Sequence, residues 1–151
     1  MSQQFVMNQN VAADFDRALS KGRWRQFVSR FNRRSDELLS YDDVRKQHSI
    51  KGQRELGVRI VPIDQIVGSM GRCRDFDRAF YPRQTVSDKR WMSIARASYK
   101  DVALPLVELY KVGDSYFVQD GHHRISVARA KGQDFIDAHV IEVEVQQQST
   151  S

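Results

Sequence analysis

Hydrophobic positions along this chain change period part-way, from a spacing suited to helices to one suited to strands. From Val11 onward, Phe15, Leu19, Phe27 and Phe31 fall four or eight apart with Val28 beside them. That is the stripe of an amphipathic helix, which Gly22 can divide in two. The opposite face carries Arg17, Lys21, Arg23, Arg25, Arg30, Arg33 and Arg34, with no acid between Arg17 and Arg34. Ser40-Tyr41-Asp42-Asp43 then predicts the capped start of a short helix, acids in its first turn and cations later, as the helix dipole prefers. Residues 51–57 hold two glycines and read as a connector at a subdomain boundary.

Past residue 57 the pattern turns to strands. Residues 58–63 alternate weakly and meet Pro62, which predicts an edge strand. A turn over 64–67 and a loop over 68–74 follow. Phe76 and Phe80, four apart, predict two core anchors on one helical turn. Ser87 and Asp88 suit the cap and first turn of a helix running through Trp91, Ile94, Ala95 and Ser98. Residues 104–110 and 116–118, separated by Gly113-Asp114, predict a hairpin. Its second strand turns at Asp120-Gly121 into a helix packed through Ile125 and Ala128, which ends where Gly132 can take the left-handed C′ position. Residues 136–145 form a last strand or pair of strands, and 146–151 a disordered polar tail with nothing to bury. The expected organisation is an N-terminal helical extension over 1–57, an α/β (α+β) domain over 58–145 and the tail.

Charge sharpens the picture without deciding it. Residues 1–60 carry 12 Lys+Arg against 7 Asp+Glu, residues 61–105 carry 8 against 5, and residues 106–151 carry 4 against 7. The basic character therefore belongs to the N-terminal two thirds, compatible with a nucleic acid, a nucleotide or an acidic partner. Cys73 is the one cysteine, so no intrachain disulfide is possible. The first residues lack the basic start and apolar core of a signal peptide, and no stretch approaches the roughly 20 apolar residues that span a bilayer. A cytoplasmic protein with no membrane partner is expected.

The candidate chemistry lies at Asp120-Gly121-His122-His123-Arg124. The first N–H groups of a helix have no intrahelical partner and the peptide dipoles add positive charge, so anions are favoured there. Gly121 lets a group approach the backbone without meeting a Cβ, and Arg124 offers a planar fork of donors. His122 and His123 can donate hydrogen bonds, and one of them can move a proton near neutral pH. A second donor-rich segment is the loop 68–74, where Ser69, Gly71, Arg72 and Arg74 could face phosphate. On the residues alone two readings stay open: a phosphate-binding strand–turn–helix, or a helix capped by two histidines and an arginine that meet solvent. Adjacent histidines point to different sides at a helix start, so no metal site is expected.

The pentapeptide 120–124 between a hairpin strand and a short helix, followed by Gly132 and the strand-like residues 135–140, resembles the signature of the ParB/sulfiredoxin superfamily over roughly residues 58–145. The resemblance implies a small mixed sheet with flanking helices. In that superfamily the chromosome-partition proteins resemble Gly-Glu-Arg-Arg at this turn and hold a cytidine triphosphate. The sulfiredoxins resemble Gly-Cys-His-Arg, and the free-serine kinases Asp-Gly-His-His-Arg or Asp-Gly-His-Thr-Arg. This chain is closest to the third form, which implies Gly121, His122, His123 and Arg124 as phosphate ligands and His122 or His123 as the catalytic proton carrier. The implied cofactor is a nucleotide, ATP, ADP or CTP, with or without Mg²⁺. Two departures matter. His122 stands where a sulfiredoxin needs its cysteine, and no glutamate occurs near residues 66–74, where the kinases keep a catalytic one. Asp64 and Asp75 are the substitutes, and Asp120 or Asp75 the oxygen ligands for Mg²⁺.

The expectation is a nucleotide-binding protein, with phosphoryl transfer or nucleotide hydrolysis left open. The alternative is a DNA-binding protein, with or without nuclease activity, that uses the basic N-terminal helix and the Arg72/Arg74 loop as a phosphate track. A regulatory module switched by nucleotide is a third class, and a homodimer is left open.

Overall fold

Six strands rich in β-branched and aromatic residues pair into one mixed sheet, described in a computed structural model for residues 11–16, 18–19, 37–71, 73–83, 86, 88–100 and 103–146. The strands are β1 (Leu39–Ser40), β2 (Ser49–Pro62), β3 (Ile66–Ser69), β4 (Val107–Val112), β5 (Ser115–Asp120) and β6 (Phe135–Gln146), in the order β1-β3-β5-β4-β6-β2. β1, β3 and β5 run parallel, β4 is antiparallel to β5 and parallel to β6, and β2 is antiparallel to β6. Helices α1 (Tyr41–Gln47), α2 (Asp88–Tyr99) and α3 (His122–Ala130) flank it. The expected α/β class, a small mixed sheet with flanking helices, is the one observed.

The main core lies on one face. Val107, Leu109, Val118, Ala138 and Val140 project from the strands against Trp91 and Ala95 of α2 and Ile125 and Val127 of α3. Helical residues 11–16 add Val11 and Phe15, whose ring lies 5.2 Å from that of Trp91, as the apolar stripe predicts. A buried hydrogen bond from Trp91 Nε1 to Ser126 Oγ at 2.9 Å ties α2 to α3. The end of α3 matches its sequence signature. Gly132 has φ 79°, and the N–H groups of Gly132 and Gln133 donate to the carbonyls of Arg129 and Ala128, the paired bonds of a Schellman cap.

Several local expectations change. Residues 51–57 are not a connector: they belong to β2, a 14-residue strand paired with β6 from Ser49↔Gln146 to Pro62↔Phe135. The two glycines mark register shifts, between Ile50 and Gly52 and between Glu55 and Gly57, so bulges mimic a loop in the sequence. The boundary expected between 57 and 58 falls inside this strand, and Gln146, expected in the tail, is its partner's last residue. Ser40 makes no side-chain cap to α1; it pairs with Ser69 as strand. Residues 66–69, expected as turn and loop, form β3. Phe76 and Phe80 are fully buried anchors as expected, but on a bridge-and-turn segment, with Phe80 at φ 65°. The basic face from Arg17 to Arg34, Ser87 and the tail 147–151 lie outside the described residues.

Candidate functional site

Because β3 and β5 are adjacent and parallel, the segments that follow them leave the sheet at the same edge. This brings Met70 and Gly71 to the turn at Gly121, distant in sequence. Crevices outside the carboxyl ends of parallel strands are where α/β sheets bind ligands.

Gly121 is required where it stands. Its φ is 109°, and an added Cβ would lie 2.6 Å from Val107 Cγ1. It is the N-cap of α3, its carbonyl accepting from the Ile125 N–H at 3.0 Å. The next two side chains turn inward. Both imidazoles are buried, with the Phe76 ring stacked on His122 at 6.1 Å and 18° and edge-on to His123 at 5.4 Å and 88°. His122 Nε2 lies 2.6 Å from Ser69 Oγ, which also accepts from the Gly71 N–H at 3.1 Å. The Ser69 hydroxyl has the Gly71 carbonyl as a further partner, with the Val118 carbonyl at 3.4 Å. Ser69 thus links the strand end to the helix entrance. Its neighbour Gly68 has no room for a side chain: a Cβ would meet the Phe117 ring at 2.4 Å and the Leu39 carbonyl at 2.6 Å.

Arg124 is a clamp at the helix entrance. Its Nη1 donates to the carbonyls of Pro105 and Leu106, the latter at 2.8 Å, and its Nη2 to Asp120 Oδ2 at 3.0 Å. The side chain is 13% exposed, so the guanidinium fastens the helix entrance to the lead-in of β4 rather than reaching into solvent.

These residues wall a cavity of about 290 Å³. Asp120, Gly121, His122, His123 and Arg124 form one side and Met70 and Gly71 another, while Arg90 and Ile94 of α2 close it. The solvent-facing alternative for the histidines is thereby replaced: they are buried behind the helix entrance and border the cavity. Two residues expected at the site do not reach it. Arg74 is exposed and not on the wall, and Ser69 is buried behind it, acting through His122 and Gly71. Arg72 lies outside the described residues. Sequence reasoning missed Arg90 and Ile94. Their i, i+4 spacing beside Trp91 was visible, but which side of α2 meets the turn is set by the Trp91–Ser126 contact across 35 residues.

Cys73 sits beside this region, half-buried, its Sγ 3.8 Å from the carbonyls of Leu39 and Ser69. Burial pushes its thiol pKa up, and the negative charges of Glu37, Asp43 and Asp42 push the same way. Such a thiol is a poor nucleophile at neutral pH. Among the described residues no group of three or more His, Cys, Asp or Glu side chains is placed to hold a metal ion. No helix among them is long and apolar enough to cross a membrane.

No family model matches the chain, and no curated protein does. Among solved structures it is similar to the crystal structure of sulfiredoxin from Arabidopsis thaliana, with 13% identity over 55% of this chain and 82% of that one and a TM-score of 0.43. A likeness that low carries no functional weight, so function rests on the site.

Proposed function

We propose that this protein binds the phosphate groups of a nucleotide in the cavity beside Gly121, with the phosphates against the entrance of α3 and the base directed outward. The observation that carries this reading is the convergence of two arginines and a helix N-terminus on one small cavity. Arg90 arrives from α2 and Arg124 from α3, beside the Gly121 turn that opens α3. Guanidinium groups and the N–H groups of a helix N-terminus are the donors that phosphate oxygens select. At about 290 Å³ the cavity is just below the roughly 300–1,000 Å³ of ligand sites, which fits a phosphate chain better than a whole nucleotide.

Binding is better supported than turnover. Asp120 is the single carboxylate among the wall residues, and Arg124 engages it. Mg²⁺ enters this reading as a counterion carried by the phosphates, since the wall offers no carboxylate cage. Any phosphoryl chemistry would lean on charge stabilisation by Arg90 and Arg124, with the imidazoles as proton carriers.

A thermal-shift panel of ATP, ADP, CTP and GTP, each with and without Mg²⁺, tests the reading. A ligand that prefers the native state raises the midpoint. The expected outcome is a rise with at least one triphosphate, lost in Arg90→Ala. No response from any nucleotide would contradict it.

A further inference from the structure

The two faces of the sheet are covered unequally. On the face away from the main core, α1 places Tyr41 on Phe117, Tyr110 and Val143, with the Tyr41 ring 5.7 Å from that of Tyr110 and 5.8 Å from that of Phe117. Toward β2 that cover ends. Register fixes what the remainder displays. Val58 lies opposite His139, Ile60 opposite Asp137, and Glu108 opposite His139. Cross-strand partners share a face and strand neighbours alternate. Since Val61, Leu109 and Ala138 enter the main core, these five residues project from the other side.

Three large apolar side chains stand there in solvent: Val58 is 61% exposed, Ile60 72% and Phe135 56%. The charged groups sharing the face are Glu55, Glu108 and Asp137, with Glu55 held by His139 at 2.5 Å. None of these register positions carries a lysine or arginine, although the chain has a net charge of +5. A contiguous apolar group rimmed by polar residues marks an interaction surface. Its acidic rim selects the partner's charge.

We propose that this face docks a basic amphipathic segment of a partner protein, with apolar side chains on Val58, Ile60 and Phe135 and lysines or arginines at Glu108 and Asp137. A second copy presenting the same face is the poorer partner, because a two-fold interface repeats that face and brings no lysine or arginine to Glu108 and Asp137. By register this surface lies on the face of the sheet opposite the main core.

The test is a titration of the labelled protein with a synthetic Leu/Lys amphipathic helical peptide and with its Leu/Glu counterpart, read by amide chemical shifts. The Leu/Lys peptide is expected to move the signals of Val58, Ile60 and His139, and the Leu/Glu peptide to leave them in place. Val58→Ser with Ile60→Ser should weaken binding at least about tenfold, as loss of buried anchors does. Glu108→Lys with Asp137→Lys should weaken it by a similar factor and remove its salt dependence. All four side chains are exposed, so an unchanged thermal midpoint will show that the variants fold. Absent or equal responses to the two peptides, shifts confined to other surfaces, or a dimer in sedimentation that Ile60→Ser dissolves would each overturn the proposal.

Discussion

Two donor-rich, glycine-containing segments leave the same edge of the sheet, one after β5 and one after β3, and the fold treats them differently. After β5, each side chain from Asp120 to Arg124 is held: Asp120 by Arg124, both imidazoles by Phe76, and Arg124 by two backbone carbonyls. After β3, restraint fades along the chain. Gly68 and Ser69 are strand, Gly71 is tied to Ser69, and by Arg74 the side chain is exposed. A donor-rich composition thus does not by itself fix side-chain directions; packing does.

Breaking the support under the first segment should have the largest effect. Phe76→Ala removes a fully buried ring that touches both imidazoles, and about 3–5 kcal/mol of stability should go with it by denaturant unfolding. A loss under about 1 kcal/mol would show that the ring is not the support. Next in size is the contrast between glycines. Gly121→Ala forces a side chain at φ 109° onto Val107 and should cost about 2–4 kcal/mol. Gly71→Ala meets nothing within 4 Å and should stay within about 0.5 kcal/mol. Equal costs would erase the distinction between the two segments.

A smaller effect separates the arginines. Arg124→Ala strips hydrogen bonds from a charged group and should cost about 1–3 kcal/mol, while Arg74→Ala should change neither stability nor nucleotide response measurably. The smallest concerns Cys73. Its thiol stays protonated in the folded chain to a higher pH than in the unfolded one, so in that window the folded state binds more protons. Stability should therefore be highest below the ordinary thiol pKa and fall as pH rises through it toward the folded value. Alkylation of the native thiol should begin at a correspondingly higher pH than in denatured protein. The same alkylation profile in both states would remove the burial argument.

Much of the anchor was legible because it is local. Gly121 and Gly132 announce a turn and a helix end by their position between periodic segments, and the φ values of 109° and 79° bear this out. Phe76 and Phe80 were recognisable as core, though their spacing suggested a helix where the backbone makes a bridge and a turn. β2 was obscured because it is an edge strand with two bulges and an exposed face, so its alternation breaks twice. Burial of His122 and His123 and the arrival of Arg90 were not legible, since both depend on contacts distant in sequence: Phe76 on the histidines, and α2 against α3 through Trp91 and Ser126.

On the proposed reading, anionic phosphate lodges where Arg90 meets the entrance of α3. Titration of the labelled protein with pyrophosphate, followed at the Gly71, Gly121 and His122 amides and the Arg90 side chain, tests it most directly. Saturable shifts at these four positions, abolished by Arg90→Ala with the fold intact, are predicted. Shifts elsewhere alone, or none while the basic exposed residues respond, would contradict it.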